Sequence, residues 1–324
     1  MKSSGMTKYA MEIYKLSKQS LVSISERPFL LEKDIQTLIE ANIYDLFGYT
    51  FVSSEFAVSN YRLDSLCFDE ENNSFVIIEY KKGSSYSVID QGYSYLSTML
   101  NNKAEFILEY NEKSESSLKR DEVNWANSKV LFVSPSFNSY QKNSVNFKDV
   151  PFELWEIRRF EGDLISLELH KATSKESIES VSGNAVIKSV SKEVKSSSEE
   201  ELLAKTDQET INRWLQLKEQ LLLADNTDMA IGQKYIKYTK HGKGVAYIKF
   251  RKSFFTVDIV RGNKKPDGSK SKNFFVIDDP KNLVQEKQFT WKSGVEGHRY
   301  KFTVKTNTSL DYVEMLIKQK YKSM

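Results

Sequence analysis

The stretch YRLDSLCFDEENNSFVIIEYKKGSS, residues 61–85, contains two short β-like runs separated by the turn-forming cluster DEENN. The second run is apolar at each position from Phe75 to Ile78, which is typical of a central strand covered on both faces. It ends in Glu79, Tyr80 and Lys81, and strand alternation places Glu79 and Lys81 on one face with Tyr80 on the other. A charged pair is therefore predicted at the edge of a buried core.

An aspartate in the first run adds a second carboxylate to this edge. If the two runs pair as a hairpin, Asp64 lies beside Glu79 although 15 positions separate them. Two carboxylates about 4 Å apart repel by about 4 kcal/mol at an effective dielectric constant of about 20, so a compensating charge is expected. Mg²⁺ is typically held by one or two carboxylates together with waters and substrate phosphate. Lys81 could orient or deprotonate an attacking water and neutralise charge at the phosphate.

These three residues therefore predict phosphodiester hydrolysis with Mg²⁺ or Mn²⁺. The competing interpretation treats Glu79 and Lys81 as an ordinary surface ion pair and Asp64 as a turn residue.

The residues on either side of this stretch predict helices packed on a mixed sheet. The segment FLLEKDIQTLIEANIYDLF, residues 29–47, has apolar residues at helical spacing, and on a helical wheel Glu32 lies nearer the apolar stripe than Glu40. Further β-like runs lie near 50–57 and in KVLFVSP and PFELWEIRRF, and a second helix is predicted at about 87–101. The order of these predicted helices and strands indicates an α/β domain with a mixed central sheet flanked by helices. Glu32 is predicted to face inward, with Glu40 as the competing helical acid.

The motif formed by Asp64 and by Glu79-Tyr80-Lys81 after an apolar strand resembles that of the PD-(D/E)XK nuclease superfamily. The segments RLDSL, VIIEYKK and DQGYSYL resemble the NucS-like endonuclease domain, over roughly residues 29–110. This resemblance implies a restriction-endonuclease-like fold and a metal-dependent DNA endonuclease, in genome defence or DNA repair by analogy, and its relatives imply a homodimer.

The same resemblance assigns roles residue by residue. It implies catalytic roles for Glu32, Asp64, Glu79, Lys81 and Gln91, with Asp64 and Glu79 as the metal ligands. Tyr95 follows Gln91 by one helical turn and is predicted to border the site, and Arg62 is predicted to contact nucleic-acid phosphate. For Gln91 and Tyr95 a half-buried helix face is the competing interpretation, and for Arg62 a solvated strand position.

Composition sets the class and the compartment. A chain of 324 residues predicts two domains. No apolar stretch approaches the roughly 20 residues needed to cross a bilayer, and no signal-type segment opens the sequence, so we expect no membrane partner. Cys67 is the single cysteine, which excludes an internal disulfide and fits a reducing, cytoplasmic location.

Other chemistries lack their motifs. The three histidines, His170, His241 and His298, are widely separated and do not have metal-ligand spacing. The sequence contains no Gly-x-Ser-x-Gly elbow and no Walker loop. Zinc, serine-hydrolase and P-loop chemistry are therefore excluded as first interpretations.

Charge divides the chain into two unequal parts. Residues 205–324 contain 24 Lys and Arg against 13 Asp and Glu, a net charge of +11, whereas residues 1–204 contain 23 against 31, a net charge of −8. The segment 171–204 is rich in Ser, Lys and Glu with scattered aliphatic residues, and we interpret it as a linker, with a helix possible in its last part. The predicted domains are a nuclease-like domain at 1–170, this linker, and a basic α+β domain at 205–324.

The basic domain is predicted to bind nucleic acid. Its opening helix carries a capping-box pattern at Thr206 and Glu209, and the strands KYIKYTK, VAYIKF, SFFTVDIV and NFFVID follow. Lysine and arginine alternate with aromatic residues, a pattern that combines phosphate contact with base stacking. The domain also resembles an uncharacterised basic domain of bacterial predicted transport proteins. A solvated surface over an ordinary core is the alternative. The predicted nucleic-acid-binding residues here are Lys249, Arg251, Lys252, Lys264 and Lys265.

Overall fold

The structure is a computed structural model that describes residues 11–324, except for 84–86, 115–116, 148, 171, 175, 179–181, 195–197, 233, 265–266, 272–273 and 292–294. The predicted fold class is confirmed in the described residues, because a mixed sheet flanked by helices is followed by a smaller α+β domain with a second sheet. Lys265 lies outside the described residues.

The first sheet has six strands in the order in which they occur in the sequence. Three central strands, β5 to β7, run parallel, and the outer strands pair antiparallel. A separate two-stranded hairpin precedes it. The strand bounds are β1 Ile13–Ser17, β2 Ser20–Ile24, β3 Thr50–Val58, β4 Tyr61–Asp69, β5 Ser74–Tyr80, β6 Lys129–Ser134, β7 Phe152–Phe160 and β8 Leu164–His170.

Helices cover both faces of this sheet because β5 is apolar on both sides. Phe75 and Ile77 lie in the core shared with α3, α4 and α6, and Val76 and Ile78 lie in the core shared with α1 and α2. The segment 29–47 forms two short helices in place of one continuous helix. The bounds are α1 Glu32–Glu40, α2 Ile43–Phe47, α3 Val88–Asn101, α4 Lys103–Ser114, α5 Ser139–Ser144 and α6 Ala185–Glu193, with 3₁₀ turns at Arg120–Glu122 and Trp125–Asn127.

The turn between β4 and β5 closes as the sequence predicts. The Asp69 carboxylate accepts hydrogen bonds from the backbone N–H groups of Glu71 and Asn72, at 3.0 and 3.1 Å. Asn73 follows with φ of 51°, in the left-handed region that asparagine tolerates. The turn fixes the register in which Ser65 pairs with Ile78, and that register brings Asp64 to the level of Glu79.

The segment 171–204 differs from its interpretation as a linker that buries little apolar area. Ile178, Ile187, Val190 and Val194 are buried in the same core as β5 and α3. Helix α6 begins at the Asn184 cap, and its aliphatic residues recur at helical spacing, so they form one apolar stripe. A further short helix, α7 at Glu199–Leu203, belongs to the second domain, because Glu199 accepts a hydrogen bond from the Trp214 indole at 2.6 Å.

The second domain is an antiparallel sheet with two helices on one face. Helix α8 is capped by Asp207, one residue later than the predicted Thr206, and α9 is capped by Ser309. Residues 274–278, part of the predicted strand NFFVID, are not a strand, whereas β9, β13 and β14 were not predicted. The bounds are α8 Gln208–Leu222, β9 Thr227–Ile231, β10 Ile236–Lys240, β11 Lys243–Phe250, β12 Phe255–Lys264, β13 Gln285–Thr290, β14 Glu296–Val304 and α9 Leu310–Ser323.

The acidic β4–β5 turn lies against the sheet face that α8 and α9 leave open. Glu71 accepts a hydrogen bond from Lys237 at 2.8 Å and another from the Tyr247 hydroxyl, and Asn72 accepts one from Tyr235 at 2.6 Å. Part of the basic surplus of the second domain is therefore neutralised within the chain. Among the described residues, no helix combines the length and the apolar character needed to cross a bilayer.

Candidate active site

Asp64 and Glu79 lie side by side on adjacent strands, on the sheet face that α3 covers. The backbone N–H of Tyr80 donates to Asp64 Oδ2 at 2.9 Å, which holds the aspartate against the end of β5. Tyr80 itself points to the opposite core, as strand alternation predicts. The two carboxylates thus meet where the central strand leaves the sheet.

Glu79 is buried, and its two carboxylate oxygens have different environments. Oε1 accepts hydrogen bonds from Lys81 Nζ at 2.6 Å and from Gln91 Nε2 at 2.7 Å. Oε2 is also buried and has no direct hydrogen-bond donor among the described residues, although the Tyr95 hydroxyl lies close enough to the Glu79 carboxylate to interact with it. A buried carboxylate oxygen without a donor costs free energy unless a cation or a water compensates it. The second oxygen of Glu79 therefore fits a metal ligand.

Asp64 is half-buried, and its pKa is raised to about 7. Burial is the largest cause, and the negative charge of Glu79 adds to it, while the Tyr80 N–H and Lys81 act in the opposite direction. Near neutral pH the aspartate is therefore divided between its protonated and ionised forms. A cation between the two carboxylates would favour the ionised form.

Glu32 does not face inward as the helical wheel predicts. It is exposed because it is the first residue of α1 and lies beyond the end of the sheet, a position along the helix axis that an angular argument does not include. Its Oε1 nevertheless accepts the backbone N–H of Lys82 at 2.8 Å, next to Lys81. Glu40 is half-buried and accepts a hydrogen bond from Ser65 at 2.6 Å, on the α1 side of the sheet.

A buried amide on α1 was missed from the sequence. Gln36 Nε2 lies within hydrogen-bonding distance of three oxygens: Glu40 Oε1 at 2.9 Å, Ser54 Oγ at 3.0 Å and the Asp64 carbonyl at 3.0 Å. The only sign of this in the sequence is that Gln36 directly follows Ile35, which belongs to the apolar stripe of the helix. Gln36 links α1 to the strand that carries the aspartate.

Helix α3 supports Glu79 through a short chain of hydrogen bonds. Gln91 Nε2 contacts both Glu79 and the Tyr95 hydroxyl, each at 2.7 Å. Tyr95 is buried and packs edge-on against Tyr61, with ring centroids 5.8 Å apart. Both predicted α3 residues therefore lie at the site. Arg62 is exposed at its rim and pairs with Glu55 at 2.6 Å.

The predicted basic contacts of the second domain are dispersed. Lys249 is half-buried and pairs with Asp258 at 3.0 Å, whereas Arg251 and Lys252 are exposed after β11. Lys264 is half-buried at the end of β12. These residues do not join Asp64 and Glu79 in one cluster.

The donor set fits a hard divalent cation held mainly by two carboxylates. Within the described part of the chain, no three His, Cys, Asp or Glu side chains converge as a metal-binding group. Mg²⁺ commonly retains several waters and takes its remaining ligands from one or two carboxylates and from substrate phosphate, so a third protein ligand is not required.

Comparison with known proteins gives one full-length relative. A protein of Haemophilus influenzae described as uncharacterised is 40% identical over 317 residues, which cover 96% of this chain and 100% of the relative. No family model matches the sequence.

Two solved structures match part of this chain. A repair endonuclease from Pyrococcus abyssi has a TM-score of 0.26 and 17% identity over 37% of this chain and 45% of its own. A complex of EndoMS with double-stranded DNA has a TM-score of 0.24 and 14% identity over 45% of this chain and 64% of its own. In both cases the match spans less than two thirds of the solved chain.

Proposed function

This chain belongs to the same family as the uncharacterised Haemophilus influenzae protein, and we propose that it is a metal-dependent DNA endonuclease. The observation that carries the proposal is Glu79 Oε2, a buried carboxylate oxygen without a donor among the described residues, beside the raised-pKa carboxyl of Asp64. Lys81 and Gln91 donate hydrogen bonds to the other oxygen of Glu79, so the carboxylate is held in one orientation.

The reaction that this arrangement supports is hydrolysis of a phosphodiester. A water oxygen bonds to phosphorus while one phosphorus–oxygen bond to a sugar breaks, which gives a phosphate monoester and a hydroxyl group. Asp64 and Glu79 would hold the divalent cation, which supplies Lewis-acid polarisation of the phosphate. Lys81 would orient the water and stabilise the negative charge that develops on the phosphate oxygens.

Two further residues keep this geometry in place. Gln91 fixes the carboxylate plane of Glu79, and Tyr95 fixes Gln91 in turn. Such supporting hydrogen bonds orient ligands and tune metal affinity, and their loss typically costs about 10- to 100-fold.

The substrate is proposed to be DNA for two reasons. The motif resembles that of nucleases, and the second domain has a net charge of +11, which suits binding to a polyanion. The exposed Arg251 and Lys252 are available for phosphate contacts that anchor the polymer while the acidic first domain cleaves it. A homodimer, implied by the same resemblance, stays a prediction.

A metal titration with a substrate panel tests this function. Mg²⁺ or Mn²⁺ would be added to the full chain with labelled duplex, mismatched, branched and single-stranded DNA and with RNA, and products would be separated on denaturing gels. We expect cleavage of at least one DNA only when metal is present. Cleavage of RNA alone would change the substrate, and absence of cleavage with either metal would contradict the proposal.

The alternative is a non-catalytic DNA-binding or regulatory protein built on a nuclease fold. The ion pair between Lys81 and Glu79 is the observation that favours it, since a lysine that is already paired with a carboxylate also suits a purely structural role. DNA binding without cleavage of any panel member would support this alternative.

A further inference from the structure

A cavity of about 630 Å³ lies at the opposite end of the β4–β5 hairpin from Asp64 and Glu79. One wall comes from the end of α1, from α2, β3 and the hairpin turn, and the other from the open face of the second sheet together with the C-terminal end of α9. Sites for small molecules have volumes of roughly 300–1,000 Å³ and occur preferentially between domains. The five residue-to-residue steps from Asp64 to Asp69 span about 17 Å of strand, so this cavity is separate from the proposed metal site.

The second wall presents an arginine that is held by aromatic rings. The Arg299 guanidinium lies 4.3 Å from the ring centroid of Tyr247 and 4.7 Å from that of Phe289. Within the described residues it has neither an ion pair nor a side-chain hydrogen bond. A half-buried guanidinium fixed in this way is suited to an anionic ligand, because charge-assisted hydrogen bonds to phosphate or carboxylate are strong.

The carboxylate of Glu71 does not neutralise this arginine by direct contact. The Glu71 carboxylate instead accepts hydrogen bonds from Lys237 and from the Tyr247 hydroxyl. Burial raises the pKa of Glu71, but the Lys237 ammonium and these hydrogen bonds outweigh burial and hold the pKa below its ordinary value. The positive charge of Arg299 also lowers the pKa of Glu71, but Arg299 makes no direct ion pair with it, so the guanidinium N–H groups can still donate to an incoming anion.

Flat aromatic surfaces line the same cavity from both sides. Tyr44 is 59% exposed and belongs to the first domain, whereas Trp291 belongs to the second. Asn263 joins them, because it donates to the Tyr44 hydroxyl at 2.5 Å and accepts from the Trp291 indole at 3.2 Å. The Arg299 guanidinium also lies 5.9 Å from the Trp291 ring centroid, so an aromatic ring of the cavity stands beside the cationic group.

Acidic residues complete the wall of the first domain, with Asp45 and Glu70 both lining the cavity. Carboxylates accept hydrogen bonds from amino, imino and hydroxyl groups but repel a second anion. The ligand must therefore combine an anionic end, a planar ring and hydrogen-bond donors. A free inorganic anion would leave most of the volume empty, and a fatty acid would bring its chain against the carboxylates.

We propose that this cavity binds a nucleotide, with its phosphate at Arg299 and its base against the aromatic faces of Tyr44 and Trp291. The ribose hydroxyls and the donor edge of the base face the acidic wall. This assignment rests on the geometry of the cavity alone and does not depend on the nuclease activity. Because both domains supply walls, bound nucleotide would also stabilise their contact.

Titration calorimetry on the full chain tests the assignment. ATP, GTP, AMP and inorganic phosphate are the probes, and the variants are Arg299→Ala and Trp291→Ala. Lys301→Ala is the matched control, because Lys301 lies two residues further along β14, on the same sheet face, and does not line the cavity. Glu79→Gln distinguishes the cavity from the proposed metal site.

The expected result is that at least one nucleotide binds with a Kd below roughly 100 µM and more tightly than phosphate. Arg299→Ala should weaken this binding at least about tenfold, with a smaller loss for Trp291→Ala, and Lys301→Ala and Glu79→Gln should bind as the unmodified protein does. The assignment is overturned if no nucleotide binds, if phosphate alone binds as tightly, if Arg299→Ala has no effect, or if either control loses binding equally.

Discussion

At the residue scale, the two roles proposed around Glu79 are separable by measurement. Asp64→Asn and Glu79→Gln each remove a carboxylate, so both should weaken Mg²⁺ or Mn²⁺ binding by about tenfold or more and abolish cleavage. Lys81→Ala removes only a cation, and it should abolish cleavage while metal binding is unchanged or tighter. Calorimetric metal titration beside a cleavage assay measures both, and equal loss of metal binding in all three variants would refute the division of roles.

The raised pKa of Asp64 predicts a specific dependence of stability on pH. Its value of about 7 exceeds the ordinary 3.8, so between those values the native state binds a proton that the unfolded state lacks. The free energy of unfolding therefore falls as pH rises through this window, by at most about 1.4 kcal/mol per pH unit. Burial, Glu79 and Glu55 favour the protonated form of Asp64, while the Tyr80 N–H and Lys81 oppose it.

Asp64→Asn removes this dependence. Without metal, we expect the variant to be more stable than the unmodified protein at pH 8, by about 1–3 kcal/mol, and to differ little at pH 4. Added Mg²⁺ should stabilise the unmodified protein at pH 8 more than the variant. Urea unfolding curves at both pH values test this, and an equal difference between the two proteins at pH 4 and pH 8 would contradict it.

Glu32 and Glu40 provide a second comparison at this scale. Glu32→Ala should lower cleavage by about tenfold, because it removes the acceptor that holds the Lys82 N–H beside Lys81. Glu40→Gln should stay within about twofold, since a glutamine oxygen can still accept from Ser65. Steady-state cleavage rates decide the matter, and the reverse order would transfer the role of the helical acid to Glu40.

Individual residues differ in how far the sequence predicts their positions. The adjacency of Asp64 and Glu79 follows from strand alternation and a short turn, which together leave one register. The exposure of Glu32 does not follow, because a helical wheel gives an angle and no position along the axis. Gln36 was missed because a polar residue next to an apolar stripe has no partner in the sequence that would mark it as buried.

At the scale of the elements, α3 must approach the sheet closely for Gln91 to reach Glu79. A Cβ atom on Gly92 would lie 2.6 Å from the Phe152 ring, so Gly92→Ala should push α3 outward, destabilise the protein by about 1–3 kcal/mol and lower cleavage through Gln91. Gly183→Ala meets no atom within 4 Å and is the matched control. Thermal unfolding and cleavage rates measure the two effects, and a neutral Gly92→Ala would show that this approach is not required.

Elements with a strong apolar periodicity were predictable from the sequence, and elements without one were not. The buried strand at Ser74–Tyr80 and the helix at Val88–Asn101 have long apolar patterns bounded by turn residues. The edge strand β13, QEKQFT, is almost entirely exposed and has no such pattern. Helix α6 was assigned to a linker because its aliphatic residues are few, although their spacing lets them form one buried stripe.

At the scale of the whole molecule, the second domain is proposed to anchor DNA. Replacing the exposed Arg251 and Lys252 by alanine should weaken DNA binding regardless of sequence and reduce the slope of log affinity against log salt by up to about 1.8, while the maximal cleavage rate is retained. Lys15→Ala, an exposed lysine on β1, is the control. Fluorescence anisotropy at several salt concentrations gives the slope, and an unchanged slope would indicate that these side chains are only solvated.

The contact between the domains was not predictable from charge alone. The sequence separates an acidic part from a basic part, but the contact uses the β4–β5 turn, in which Glu71 meets Lys237 and Tyr247, and the hydrogen bond between Asn263 and Tyr44. That pairing requires the tertiary position of both sheets, which no local pattern encodes.

The central claim is that Glu79 and Asp64 hold a metal ion that serves phosphodiester hydrolysis. The most direct measurement is the single-turnover cleavage rate of labelled DNA against Mn²⁺ concentration, for the unmodified protein and for Glu79→Gln, with Glu168→Gln on the edge strand β8 as the charge-matched control. The account predicts metal-dependent cleavage that falls at least about 100-fold in Glu79→Gln and is unchanged in Glu168→Gln. Cleavage by Glu79→Gln at the rate of the unmodified protein would contradict it.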